Sequence, residues 1–505
     1  MFWTTFALII GLFCYFRLKP IYFQTIPYTF DQGRDFLKAQ EVARGDLTLI
    51  GPPTGIQGIF HGAWWYYYLL IPYMLFQGNP LGFSLFIFII FLAVSVYFSI
   101  FLKKEFGKLS SLIFLILTAA SPYLIQISFF AISSAPAAPL ILVLLYLTYL
   151  HLKTSKDSLV LFIFLTLGFI LETELPTGVF LIPGYFLTIF LTRNIKVYFG
   201  NLRKITYSAL GLFMPISLRV ISELKNDFLQ TKAVFNLLQN SPGVKKTIIE
   251  IFLERTHLFW DYYLRIFSKN SFYLEYMLLT VTVVGILFVI IKSNSLLKKY
   301  VFFILIFLSS TFIASLFYKN IVWQNYLEGL SLFYILIIAI SLGSLIKSSE
   351  LIIKYIPVSL LSLLILFNLF IFTKDLNSFS INPDEISLRE QINTVNYIYD
   401  NTPRGDFCTR VYTPPVIPYT YNYLFDYYSK KRALPVPKSI RYIDGSCWLI
   451  LEKDTCKFGK IEKREKKECE SRIVNWKKDS TPRAAQLVKR KVVNKKLSIE
   501  LWNVN

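Results

Sequence analysis

Through residue 373 the chain alternates long apolar runs with short polar breaks. A helical run of roughly 17–25 apolar residues matches the hydrocarbon thickness of a bilayer. Such runs, several of them short, fall at 2–18, 80–102, 110–130, 136–152, 158–171, 175–191, 205–221, 273–291, 300–317, 328–346 and 355–373. They are continuous and do not alternate polar with apolar, which argues against a membrane β-barrel. The pattern predicts a mainly α, polytopic helical membrane protein with about 11 spans. One further apolar stretch, Trp64–Phe76, contains Pro72 and is too short to cross comfortably. It is expected to lie as a helix in the outer interface, where Trp and Tyr rings suit the headgroup level.

Beyond 374 the pattern changes. Lys, Arg, Asp, Glu and Asn become frequent, a helical stretch covers 384–400, and Cys447–Leu451 and Leu497–Leu501 read as strands. A segment of this length suffices for one small α+β domain. The expected organisation is a membrane domain, 1–373, and a soluble extracytoplasmic domain, 374–505.

Composition narrows the class. Charged residues make up 17% of the chain and hydrophobic residues 54%, against about 25% and 45–50% in soluble domains. That disfavours both a soluble enzyme and a disordered chain. The net charge of +21 is read as loop and headgroup chemistry, and no nucleic-acid partner is expected. Lysines and arginines crowd alternate loops, such as Lys103–Lys108 and Arg193–Lys204, while the short loops 131–135, 172–174 and 318–327 hold only Lys319. The positive-inside rule places the basic set in the cytoplasm. It turns loops 19–79 and 222–270 and the tail outward, with a short amphipathic helix considered in the second loop. Phe2–Phe16 lacks a basic flank and a small-residue cleavage site, so it is read as a retained first span. Four of the five cysteines lie in the tail, at 408, 447, 456 and 469. Their even number permits disulfides outside the cytoplasm, and Cys456–Cys469 would be a local pair.

Charges beside apolar spans are costly and therefore mark candidate sites. The first outward loop carries Phe30-Asp-Gln-Gly-Arg-Asp-Phe36. If helical, it sets Asp31 and Asp35 on one face with Arg34 between them. Such carboxylates suit a general base, and the guanidinium suits a phosphate; a simple helix cap at Asp31 is the structural alternative. A turn-rich stretch from Gly51 to Gly62 follows and contains His61. Glu172-Thr-Glu-Leu-Pro176 separates two spans with almost no loop. Its carboxylates suit a base, a hydroxyl ligand or a divalent-cation ligand. Arg219 and Lys225 near the second outward loop suit lipid phosphate or snorkelling. Tyr326 borders another outward turn. No other cofactor is implied.

The string Asp31-Gln-Gly-Arg-Asp-Phe … Ala39 … Gly45-Asp46 resembles the first-loop motif of type-C membrane glycosyltransferases. The nearest branches are the protein O-mannosyltransferases and the lipid A aminoarabinose transferases. That motif reads Asp-Glu-Gly-Arg, then a helix, then Gly-Asp. Gln32 stands where the motif usually has Glu, and Asp35 where the closer relatives usually have an aromatic or apolar residue. The stretch ending at His61-Gly62, the Trp64–Tyr68 helix, Glu172–Pro176, 215–228 and 412–425 extend the resemblance over nearly the whole chain.

The resemblance implies transfer of a sugar, with inversion, from a polyprenyl-phosphate donor to a protein, lipid or glycan acceptor on the outer face of the cell membrane. It assigns the base to Asp31 and the lipid phosphate to Arg34. Glu174 and Glu172 join as catalytic candidates, and Asp35, His61, Arg219, Lys225 and Tyr326 as substrate-binding ones. The alternatives are a transporter or flippase of lipid-linked sugars, which would carry inverted repeats or midplane charges, and a membrane scaffold.

Overall fold

The computed structural model describes residues 1–239, 246–267, 273–320, 322, 326–347, 351–377, 386–402, 405–414, 417–439, 443, 445–454 and 463–504. The chain forms two compact units. The first comprises Met1–Leu18, Asp46–Tyr68 and Ser84–Lys374, and the second Lys19–Gly45, Leu69–Phe83 and Asp375–Asn505.

The first unit is helical. Among the described residues, six helices are long and apolar enough to cross a membrane: Phe2–Tyr22, Pro80–Glu105, Ala137–Thr154, Leu202–Lys225, Leu274–Lys292 and Ser295–Leu316. Lys108–Ala120, Ser158–Thr173, Leu175–Leu191, Leu330–Ile346 and Tyr355–Ile371 are shorter apolar helices. Every apolar run expected from the sequence falls on one of these. Trp64–Leu75 is a separate helix. Loop 222–270, where one short helix was considered, carries two, Leu229–Gln239 and Ile248–Leu264.

The run expected at 110–130 is broken into Lys108–Ala120 and Pro122–Ile127. Pro122 lacks the N–H that a continuous helix would need, and Ser121 Oγ accepts from Leu124 N (3.5 Å) to start the second piece. The carbonyls left at the end of the first helix are taken by Arg17. It donates to Thr118 O (3.0 Å) and Ala119 O (3.1 Å), and its Nε to Ser128 Oγ (2.7 Å). This guanidinium is fully buried. A cation at a helix C-terminus meets the negative end of the helix dipole.

Helices pair closely: Ser158–Thr173 with Leu202–Lys225, Leu175–Leu191 with Ser295–Leu316, and Lys108–Ala120 with Leu330–Ile346. Small residues make this possible. A side chain at Gly211 would collide with the backbone of Leu161 and Leu165, and one at Gly184 with Thr311. Apolar burial gives little drive inside lipid, so such close backbone approach carries the packing.

The second unit holds a four-stranded sheet in the order β1-β2-β4-β3. β1 (Thr409–Tyr412) runs parallel to β2 (Ser446–Glu452). β4 (Leu497–Val504) pairs antiparallel with β2 and with β3 (Ala485–Val492). Tyr412, Leu449 and Leu451 form a core covered by Ile473, Trp476 and Trp502. Helices Leu388–Asp400, Tyr419–Arg432 and Lys463–Ser480 complete the α+β fold. Only the first of these, with β2 and β4, was legible in the sequence. Cys408 and Cys447 form a disulfide that joins the segment before β1 to β2. Cys456, of the expected local pair, lies outside the described residues.

Candidate active site

The first cluster lies in the second unit, on the helix Phe30–Ala43. The helix begins with a capping box: Gln32 Oε1 accepts from the backbone N–H of Thr29 (3.0 Å). A glutamine serves at this third position as a glutamate would, which gives the departure at Gln32 a local reason. Arg34 lies between two carboxylates. Its Nη1 pairs with Asp31 Oδ1 (2.8 Å), and its Nη2 and Nε with Asp35 Oδ1 (both 2.8 Å). The Asp31 side chain is 58% exposed and the Asp35 side chain 1%. Asp35 is therefore placed to hold the guanidinium, whereas Asp31 presents its carboxylate outward. The helix is fixed from behind: Phe36 stacks on Phe83 with ring centroids 3.8 Å apart, and Gly33 admits the backbone of Tyr419 and Thr420.

The second cluster lies in the first unit, where the helix Ser158–Thr173 gives way to Leu175–Leu191. Arg219 Nε donates to Glu172 Oε1 (2.7 Å), and its Nη1 to Phe60 O (2.9 Å) and Gln230 Oε1 (2.7 Å). Gly62 N donates to Glu172 O (2.6 Å), and a side chain at Gly62 would collide with Glu172. This fork ties three helices to the turn-rich loop 51–62. Arg219 ends up on Glu172 instead of standing alone at a span end.

Glu174 faces a different set. It is 5% exposed, and so is Glu328 in the turn before Leu330–Ile346. Burial and the charge of Glu328 push the Glu174 carboxyl well above the usual carboxylate range. Burial raises Glu328 to about 7, against the opposing pull of a hydrogen bond with Ser134 and the charge of Arg265. Tyr262 and Tyr326 both lie close enough to Glu174 for its charge to raise their hydroxyl pKa further, beyond the effect of burial. Tyr262 OH accepts from Leu327 N (3.0 Å), and Tyr326 O from Thr177 Oγ1 (2.7 Å). The Arg265 guanidinium sits 4.9 Å from the Tyr262 ring centroid and 5.4 Å from that of Tyr123. Two buried acids this close cannot both ionise cheaply, so the pair holds a proton near neutral pH.

This has a consequence for stability. A carboxyl that ionises near 4.5 in the unfolded chain and near 7 in the folded one binds more protons when folded between those values. Stability therefore falls as pH rises through that window. Thermal unfolding of the detergent-solubilised chain at pH 5 and pH 8 is expected to show this loss. Glu328→Gln should make the loss shallower, and an unchanged pH slope would remove Glu328 as its source.

The structure thus brings Asp31, Arg34 and Asp35 together in one unit, and Glu172, Glu174, Arg219 and Tyr326 into the other. His61 lies half-buried in the loop 51–62, its backbone N–H on Pro52 O (2.8 Å). Lys225 is exposed at the end of Leu202–Lys225. Sequence reasoning passed over Glu328, Arg265, Tyr262 and Gln230. Glu328 carried the same signal as Glu172, a charge beside an apolar run, but the span 328–346 was drawn through it. Among the described residues no group of three or more His, Cys, Asp or Glu could hold a metal ion.

No protein-family model matches the chain, and no curated protein matches it in sequence. Solved structures do match in fold. ArnT from Cupriavidus metallidurans bound to undecaprenyl phosphate aligns with TM-score 0.59 and 8% identity, covering 99% of this chain and 97% of its own. The apo form of the same protein aligns with TM-score 0.57 and 9% identity, covering 97% of each chain. At such identities the likeness establishes the architecture, a polytopic helical membrane fold with a small α+β unit.

Proposed function

We propose that the chain is an integral-membrane glycosyltransferase, moving a sugar from a polyprenyl-phosphate carrier to an acceptor hydroxyl on the outer face of the cell membrane. The observation that carries this reading is the Asp31–Arg34–Asp35 cluster, set in a fold shared with a protein solved with undecaprenyl phosphate. Asp31 is exposed, so its carboxylate can be reached by an acceptor hydroxyl, as a general base requires. It takes the proton of the acceptor hydroxyl. The acceptor oxygen attacks the anomeric carbon from the face opposite the leaving group, so the configuration inverts. The bond from that carbon to the phosphate oxygen breaks, and its electron pair leaves with the polyprenyl phosphate. Arg34, oriented by the buried Asp35, stabilises the charge that grows on the phosphate.

The test uses the purified chain in vesicles, given a polyprenyl-phosphate-linked sugar and an envelope extract as acceptor. Free polyprenyl phosphate and glycosylated acceptor are expected in equal amounts. Passage of the intact sugar lipid across the bilayer, with neither product formed, would replace this reading by transport.

A further inference from the structure

The second unit contains a cavity of about 480 Å³ between the Tyr73–Asn79 segment and the helix Tyr419–Arg432. This lies within the roughly 300–1,000 Å³ of small-ligand sites. Four rings line it, those of Tyr73, Phe76, Tyr423 and Tyr427. Gln40 closes one side and is 6% exposed. Its Nε2 donates to Asp426 Oδ2 (2.6 Å) and Tyr73 OH (3.4 Å), which leaves Oε1 as an acceptor. The opposite edge is a turn in which Gln77 and Gly78 take left-handed backbone angles, φ 51° and 72°. Tyr423 OH holds that turn by donating to Gly78 O (2.5 Å). Asn79 uses its Oδ1 on Leu81 N (3.0 Å), so its amide nitrogen is left to donate. At the mouth stand two lysines. Lys430 is ion-paired with Asp426 (2.6 Å), and Lys431 lies 6.0 Å from the Tyr427 ring centroid.

The lining selects among ligands. A polyprenyl tail needs a wall of aliphatic groups, and here amides and lysines share the wall with the rings. A bare phosphate is served by arginine forks and converging backbone N–H groups, whereas here Gly78 N and Asn79 N are already bonded to Tyr73 O and Phe76 O. A pyranose has apolar C–H faces for the rings and hydroxyls for the amides. Lys431 adds an anionic substituent to that description. We infer that this cavity binds a sugar carrying a carboxylate or phosphate. The inference rests on the transferase reading in one respect only, in taking that sugar to be part of the acceptor.

Saturation-transfer NMR on the full chain in nanodiscs tests it, with glucuronic acid and glucose 6-phosphate as probes and glucose and inorganic phosphate as comparisons. The ring protons of both anionic sugars should receive saturation, and more strongly than those of glucose. Tyr427→Ala should weaken that binding by about fivefold, and Lys431→Ala should reduce the anionic probes to the level of glucose. Lys431 is exposed and Tyr427 is half-buried, and an unchanged melting temperature checks that both variants stay folded. Signals that persist undiminished in both variants arise elsewhere and would overturn the proposal. So would glucose binding as well as its acidic forms, or phosphate displacing the sugars at equal concentration. No donor or turnover is involved, so a negative result here leaves the transferase reading standing, and loss of that reading leaves this binding intact.

Discussion

Asp31→Asn is expected to lower the initial rate of sugar transfer by about 10²–10⁴-fold, the range typical of a lost general base. Asparagine keeps the size of the side chain and an oxygen for Arg34, whose Nη1 lies 2.8 Å from Asp31 Oδ1. What disappears is the basicity. The melting temperature should hardly move, because the Asp31 side chain is 58% exposed and exposed ion pairs contribute about 0–1 kcal/mol. Donor binding should also persist, since Arg34 stays oriented by Asp35. A folded variant that retains full transfer would remove Asp31 from catalysis and move the base to another carboxylate, with Glu174→Gln as the next substitution to measure. Asp35→Asn makes the contrast. Acting through Arg34, it should weaken donor binding, and so raise KM for the lipid-linked sugar, more than it lowers kcat.

Arg219→Ala is expected to destabilise the first unit by about 3–5 kcal/mol, the range for removing one partner of a buried pair. The Glu172 side chain is fully buried, and Arg219 is its ion-pair partner at 2.7 Å. Alanine would leave that charge uncompensated. It would also release Phe60 O and Gln230 Oε1, which Nη1 holds at 2.9 and 2.7 Å. The cost should appear as a lower denaturation midpoint in detergent. Arg219→Lys should recover little, because one ammonium cannot reproduce a fork directed at three acceptors. Adding Glu172→Gln to Arg219→Ala removes the stranded charge and should restore part of the loss. If the single variant unfolds like the parent chain, the fork is not a structural tie, and Arg219 is available to a ligand.

Residues whose partners are close in sequence were readable. Asp31, Arg34 and Asp35 fall on adjacent turns of one helix, so spacing alone predicted that they meet. Glu172 and Glu174 stood out because a charge between apolar runs is expensive. Their pairings did not stand out: Arg219 was itself a candidate but lies 47 positions from Glu172, and Glu328 was hidden by a span drawn over it. The same limit applied to the cysteines. Spacing singled out the local pair 456 and 469, of which Cys469 is disulfide-bonded, but it did not pair Cys408 with Cys447, 39 positions apart. β1 was missed because it has only four residues, and β3 because it is almost wholly exposed and its Lys- and Arg-rich sequence shows no apolar alternation.

The sequence by itself determined the class of the protein. Long continuous apolar runs can satisfy their backbone in lipid only as helices, and the polar tail could not be one of them. That information is local, carried by composition over a window of about 20 residues. Tertiary structure alone decided which charges neutralise one another, where the apolar run at 110–130 breaks and receives Arg17, and which separate segments share a compact unit. Those outcomes depend on contacts between positions tens to hundreds of residues apart. The energy of such contacts comes from burial and hydrogen-bond geometry, quantities that exist only once the chain has folded.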